Sequence, residues 1–242
     1  MKRHLSLFFG FFFLLAFAFE TRAQFSPDST IYEESMARIR QVYLSEMGDN
    51  AQIYHGAEYI RNGQRAIGFP YYMSDNMLTG SISYQGVLYS DVSFFYNLVS
   101  DKLIINNYAH NALLTLSPLK ADSFFVNNHF FLMLEADKSK GLIQDGYYEE
   151  LYPGKPGLFV KREKRLENGS GSQDTKYIQY DSYFVRLKNE FHSIDGKNAL
   201  LDLLKDQAVP LKKYIRSNKL NFKKNLEYSL VSSIIYYSRL KK

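Results

Sequence analysis

Four histidines are the first residues to consider for chemistry, because imidazole acts as a metal ligand and as a general base. His55, His110, His129 and His192 follow the first fifty residues, and none has another histidine three or four positions away. A helical metal site needs such spacing, and the 242-residue chain has no Cys to supply thiolates. Phosphate-binding glycine loops and G-x-S-x-G elbows are also absent from the sequence. We therefore expect no metal, no cofactor and no recognisable catalytic residue.

The adjacent acids Glu149 and Glu150 are the nearest approach to a catalytic carboxylate pair. They fall in a predicted strand, where neighbouring side chains point to opposite faces of the sheet. The two carboxylates therefore do not meet, and glycosidase-type acid and base chemistry by this pair is not expected. A hydrolase built from residues far apart in the sequence remains an alternative.

Aromatic side chains are the second group with a functional interpretation, since the chain has 20 Tyr and 19 Phe. If a curved sheet encloses its own interior, inward-facing rings would line a cavity for an apolar ligand. Ordinary core packing is the alternative interpretation. The candidate ligand-binding residues are Phe94, Tyr96, Phe124, Phe130 and Tyr147.

Positive charge is concentrated near the C-terminus, although the whole chain has a net charge of only +5. Residues 196–242 contain eleven Lys or Arg and three acids. Such asymmetry indicates a surface for an anionic partner, and a solvated helix face is the alternative. A nucleic-acid partner is not expected, because no recognition motif is present. The candidate residues for an anionic partner are Lys212, Lys213, Arg216, Lys223 and Lys224.

The N-terminal residues 1–23 have the layout of a secretory signal peptide. Lys2 and Arg3 precede a 15-residue apolar run, and Thr21-Arg22-Ala23 resembles a cleavage site. The run reaches only about 22 Å as a helix, less than the ~30 Å hydrocarbon core of a bilayer. We expect cleavage after Ala23, no transmembrane span in the mature chain, and export, to the periplasm rather than to the outer surface.

The elements that would position these residues are mainly strands. Short β-prone runs between about 51 and 190 alternate with turn residues every 8–12 positions, which is typical of an antiparallel meander. Gln85-Gly86 and Asn127-Asn128-His129 separate two such pairs of runs, and Asp181-Ser182 separates a third. A long meander curls or closes to remove its edges. We therefore predict a curved sheet, as a half barrel or a small barrel.

Helices flank the predicted β domain on both sides. Residues 31–46 show a helical pattern within an N-terminal segment of residues 24–50. Residues 191–242 predict two or three helices packed on the sheet, and Leu226, Leu230, Ile234 and Tyr237 fall on one face of the last. Because that helix has basic ends, lying on a membrane is the alternative to docking on its own domain. The predicted class is α+β, mainly β.

Several segments resemble a group of uncharacterised exported proteins of Bacteroidota. The resemblance rests on the signal ending Ala23-Gln24, on residues 80–89 (GSISYQGVLY), and on residues 201–218 (LDLLKDQAVPLKKYIRSN). These shared motifs are structural, so the resemblance implies an envelope protein and supplies no catalytic residues.

The sequence therefore predicts a non-enzymatic exported envelope protein that acts by binding. An envelope protein, a glycan or a lipid are the candidate partners. A periplasmic carrier of a lipid or another apolar ligand is the first alternative, and a hydrolase with dispersed active-site residues is the second.

Overall fold

The computed structural model describes residues 35–36, 38–39, 42, 51–61, 66–107, 110–136, 143–168 and 175–241. The chain divides into two units, Met1–Gly48 and Asp49–Lys242. The predicted signal peptide lies outside the described residues. The short N-terminal helix predicted over 31–46 is not supported, because most of its residues also fall outside them.

The second unit is mainly β, as predicted. Within the described residues it has twelve strands: β1 Ala57–Glu58, β2 Ala66–Ile67, β3 Leu78–Tyr84, β4 Val87–Asn97, β5 Lys102–Asn107, β6 Ala112–Thr115, β7 Ala121–Val126, β8 His129–Leu134, β9 Gly146–Tyr152, β10 Gly157–Asn168, β11 Thr175–Leu187 and β12 Glu190–Ser193. Three α-helices follow the last strand: α1 Lys197–Leu203, α2 Ala208–Ser217 and α3 Leu226–Leu240. The prediction of two or three C-terminal helices is confirmed.

All of the strands belong to one sheet, in the order β1-β6-β5-β4-β3-β7-β8-β9-β10-β11-β12. The ladders are antiparallel except between β2 and β11, which pair in parallel. The sheet consists of two meanders, β3 to β6 and β7 to β12, joined where β3 pairs with β7. The predicted antiparallel meander is thus correct for each half.

A hydrogen bond between distant strands shows how strongly the sheet bends. Five inter-strand steps separate β4 from β10, which corresponds to about 24 Å across a flat sheet at ~4.8 Å per step. Nevertheless, the backbone N–H of Lys164 in β10 donates to the carbonyl of Leu98, directly after β4, at 3.0 Å. No strand ladder joins β4 to β10 within the described residues, so the sheet is not closed. Of the two predicted forms, a half barrel or a small barrel, the small barrel is therefore wrong.

One turn prediction is confirmed, a second is wrong by one residue and a third fails. Gln85-Gly86 and Asn127-Asn128 are two-residue turns with positive φ at both positions, the conformation that suits the twist of a hairpin. His129, predicted to belong to the second turn, is instead the first residue of β8. Asp181-Ser182 was predicted as another turn, but β11 runs through it without interruption. Asp181 lies opposite Arg162 of β10 in the strand register. Its carboxylate also accepts a hydrogen bond from the guanidinium of Arg162. This long-range partner outweighs the local preference of Asp and Ser for turns.

The three helices cover one part of the sheet. Leu158, Val160 and Val185 of the sheet share a buried cluster with Leu211 of α2 and Leu230 of α3. The apolar face of the last helix therefore lies in the core of its own unit. Its alternative interpretation as a membrane-surface helix does not hold, because Leu230 and Ile234 are fully buried.

Candidate functional site

The five cations predicted to meet an anionic partner are all exposed. Lys212, Lys213 and Arg216 lie on the face of α2 opposite Leu211 and Ile215, which are buried in the helical core. Lys223 and Lys224 are in the loop between α2 and α3. Because helix positions three and four apart share a face, the α2 cations form one continuous basic strip.

A groove of about 850 Å³ runs beside this strip. Ile215, Leu220 and Phe222 give it an apolar floor, and Asp195 is the only acid in its lining. Five cations line the groove: Lys197, Lys212, Arg216, Lys219 and Lys223. None of them forms an ion pair within the part of the chain that the structure describes. The groove therefore presents a net positive charge, because its five cations form no ion pair with the described residues and Asp195 is the only carboxylate in its lining.

Backbone hydrogen bonds fix the loop that carries Lys219. The N–H of Leu220 donates to the carbonyl of Ile215 at 3.1 Å, and the N–H of Lys219 to that of Arg216 at 3.2 Å. Together these bonds form the Schellman motif that ends many helices. The motif requires a left-handed residue, which is usually Gly, and here Lys219 adopts it with φ +53°.

The rest of the loop is held by an asparagine. The side-chain oxygen of Asn221 accepts hydrogen bonds from the N–H groups of Lys223 and Lys224, at 3.1 and 3.0 Å. The side chain of Asn225 then caps α3 by accepting from the N–H of Tyr228 at 3.3 Å. These hydrogen bonds fix the backbone of Lys223 and Lys224 in the free protein.

The sequence predicts part of this groove and misses part of it. Lys212, Arg216 and Lys223 line it, whereas Lys213 and Lys224 do not. Lys197 and Lys219 line it without having been predicted. Lys219 stands at the end of the α2 pattern and was available from spacing alone. Lys197 lines the groove only because α1 packs against α2.

Four of the five candidate aromatic residues are buried together inside the bend of the sheet. The ring of Phe124 lies 5.7 Å from Phe94, 5.0 Å from Tyr96 and 5.1 Å from Tyr147, measured between centroids. None of the four is more than 1% exposed. These rings contact one another, which is the arrangement of a packed core.

Phe130 does not join the other candidate aromatics. It is 37% exposed, and its strand neighbour Phe131 takes the inward position, stacked on Phe124 with centroids 4.5 Å apart. Alternation along β8 explains the separation, because consecutive side chains of a strand point to opposite faces.

A buried ion network connects the last helix to the sheet. Arg162 of β10 donates through Nε to Glu149 at 2.5 Å, through Nη1 to Asp181 at 3.0 Å, and through Nη2 to Glu227 of α3 at 2.9 Å. The other carboxylate oxygen of Glu149 lies 2.5 Å from Nδ1 of His129. Three carboxylates thus converge on one guanidinium, and His129 joins the network through Glu149.

Electrostatics keep this guanidinium charged although it is buried. Burial lowers the pKa of Arg162, but the hydrogen bond and charge of Glu149, with the charges of Glu227 and Asp181, outweigh burial and raise the pKa above its usual value. Neither Arg162 nor Glu149 lines the basic groove. The network therefore has the geometry of a structural connection rather than of a cleft that admits a substrate.

A second buried cation is neutralised in the same way. Lys161 pairs with Asp101, whose carboxylate also accepts from the hydroxyl of Tyr96 at 2.6 Å and from the N–H of Tyr147 at 3.1 Å. Burial and the charge of Asp101 raise the pKa of the Tyr96 hydroxyl well above its ordinary value. Buried cations here have partners, in contrast to the cations of the groove.

An acidic cleft of about 650 Å³ lies elsewhere on the sheet. Asp101, Asp122, Glu135 and Asp145 are among its lining residues. Three of these carboxylates already accept hydrogen bonds from the protein, namely Asp101, Asp122 and Asp145. No group of three His, Asp or Glu side chains able to hold a metal ion occurs in the described ranges.

Comparisons with protein-family models, with curated proteins and with solved structures each find no match. Among the helices of the described residues, none is long and apolar enough to cross a membrane.

Proposed function

We propose that this chain is an exported, non-enzymatic envelope protein that binds an anionic partner in the groove between α1, α2 and the loop of residues 218–225. One observation carries the proposal. Five cations surround the groove, and no acid of the described residues pairs with them. Electrostatic complementarity of this kind attracts partners of opposite charge and gives specificity to the contact.

The alternatives have less support from the geometry. A carrier needs an internal cavity, but the inward rings of Phe94, Tyr96, Phe124 and Tyr147 pack on one another. A hydrolase needs ionisable groups that are free at a cleft, but three of the four carboxylates of the acidic cleft already accept hydrogen bonds from the protein. Glu149 and Arg162 are buried and paired with each other. The bend between β4 and β10 supports the description of the sheet as a half barrel, which would act as a rigid platform for the helices.

Export is supported by the signal-peptide pattern of residues 1–23. The N-terminal sequence of the protein purified from its native cell tests this part of the proposal. We expect the chain to begin at Gln24 and to be found in the periplasmic fraction. A chain that retains Met1 and stays in the cytoplasm would contradict export without affecting the groove.

Binding of a soluble polyanion tests the groove itself. We expect the purified protein to bind poly-glutamate at low salt, and the affinity to fall as ionic strength rises. The test variant is Lys212→Gln/Lys223→Gln, and the control is Lys102→Gln/Lys120→Gln, which removes equal charge from exposed positions in β5 and in the short 3-10 helix before β7. Loss of affinity in the test variant alone supports the groove. Equal loss in both variants indicates only the net charge and refutes the proposed site.

A further inference from the structure

We infer that the anionic partner is a membrane surface that carries anionic lipid head groups, and this inference rests on the proposed function of the groove. The surface that would dock is the exposed face of α2 together with the loop of residues 218–225. The choice of lipid over an acidic protein rests on the kind of cations present and on the apolar side chains beside them.

The cations are mostly lysines, the type expected to contact mobile anionic head groups. The five groove cations together with Lys213 and Lys224 comprise six lysines and one arginine. Protein interfaces are depleted in Lys and enriched in Arg, whose planar fork binds a carboxylate in a fixed geometry. A lysine ammonium is a hydrated point charge on a flexible stem, and it attracts mobile head groups without needing such geometry.

Two exposed apolar side chains flank the basic residues. Val209 is 81% exposed, and it shares one face of α2 with Lys212, Lys213 and Arg216 at spacings of three, four and seven. Tyr228, in the first turn of α3 after Lys223 and Lys224, is 61% exposed. Val209 would enter the boundary between head groups and acyl chains. The ring and hydroxyl of Tyr228 suit the same interface.

The orientation of the last helix limits which surface can dock. Leu230, Ile234 and Tyr237 of α3 are buried in the helical core, so this helix cannot turn its apolar face to a bilayer without unfolding that core. The basic face of α2, in contrast, is exposed and can contact a bilayer without disrupting the core. Docking would therefore be peripheral, through cations and two apolar side chains.

Co-sedimentation with vesicles tests the inference. The vesicles are phosphatidylcholine alone or phosphatidylcholine with about one third phosphatidylglycerol. We expect binding to the anionic vesicles only, and weaker binding as salt is raised. Each lysine near the surface contributes about fivefold in affinity, equivalent to ~1 kcal/mol. Lys212→Gln/Lys223→Gln should therefore weaken binding about 25-fold, and the Lys102→Gln/Lys120→Gln control should not.

A neutral substitution separates a membrane from a soluble polyanion. Val209→Ser keeps every charge, so it should weaken vesicle binding severalfold and leave poly-glutamate binding unchanged. Poly-glutamate binding through the same lysines, without vesicle binding, overturns the lipid inference and leaves the proposed function intact. Failure to bind either probe overturns both. Vesicle binding that Val209→Ser and the lysine pair leave unchanged places the contact elsewhere and also refutes the inference.

Discussion

Lys219 offers a test in which backbone and charge can be separated. It has a left-handed conformation, with φ +53°, at the end of α2 and lines the basic groove. Lys219→Gly removes both the Cβ and the cation, whereas Lys219→Ala removes only the cation and leaves a residue with the same steric restriction. Because the side chain is exposed, neither variant creates a cavity.

The expected magnitude follows from the conformation. A left-handed conformation costs an L-residue about 1–2 kcal/mol, and Gly avoids that cost. Gly also loses more chain entropy on folding, which offsets about 0.5–1 kcal/mol of the gain. The Gly variant should therefore be more stable than the Ala variant by about 0.5–1 kcal/mol. Its gain over the wild type should be smaller by a few tenths, because it also loses the cation at the helix C-terminus. The Ala variant should be unchanged, or less stable by a few tenths, because it loses a favourable cation at a helix C-terminus.

Binding should respond differently from stability. Both variants lose the same cation from the groove, so both should bind anionic vesicles about fivefold more weakly than the wild type. Urea denaturation gives the free energy of unfolding, and co-sedimentation gives the affinity. The result expected is one variant that is more stable and two that bind equally poorly, which is the trade-off of a strained residue at a functional site.

Two results would refute this reasoning separately. Gly and Ala variants of equal stability would show that the left-handed residue is not under strain. Wild-type affinity in both variants would show that the Lys219 cation does not take part in binding, even though it lines the groove.

Three further predictions concern the buried residues. Arg162→Met should lower the free energy of unfolding by about 3–5 kcal/mol, because Glu149 is left buried without its cation. Recovery of part of this loss in Arg162→Met/Glu149→Leu would confirm the cause, and a loss below ~1 kcal/mol in the single variant would contradict it. Tyr96 contributes stability that is complete below pH ~10 and is lost as pH rises above it, because burial raises the pKa of its hydroxyl in the folded state while the unfolded phenol ionises near 10. Denaturation at several alkaline pH values should show that the free energy of unfolding of Tyr96→Phe falls less steeply with pH than that of the wild type, by about 1.4 kcal/mol per pH unit. An identical pH dependence would exclude this account. Phe124→Ala should cost about 3–5 kcal/mol in guanidinium denaturation and Phe130→Ala less than ~1, and similar costs would mean that the buried rings do not form a packed core.

Local features of the fold could be predicted from the sequence. The turns at Gln85-Gly86 and Asn127-Asn128 contain Gly86, Asn127 and Asn128, which tolerate positive φ and are visible in the sequence. The buried stripe of α3 depends on spacing within one helix. In both cases the physical cause and its effect lie within a few residues of each other.

Non-local features could not be predicted in this way. The failed turn at Asp181-Ser182 is explained by Arg162, nineteen positions earlier, which pairs with Asp181. The pairing of β3 with β7 and the contact of Lys164 with Leu98 similarly join segments that no short pattern relates. Charge counting located the basic segment, but the groove also contains Lys197, which the packing of α1 against α2 brings to it.

The distribution of acids explains why the groove cations stay without partners. The sheet places acids against its own buried cations, with Asp101 on Lys161 and Glu149 on Arg162. Residues 196–242 contain eleven cations and only three acids, and Glu227 and Asp206 are already paired with Arg162 and Lys241. The groove cations therefore repel one another in the free protein. A bound anion would relieve this repulsion and, because it binds only the folded state, would also raise the stability of the fold.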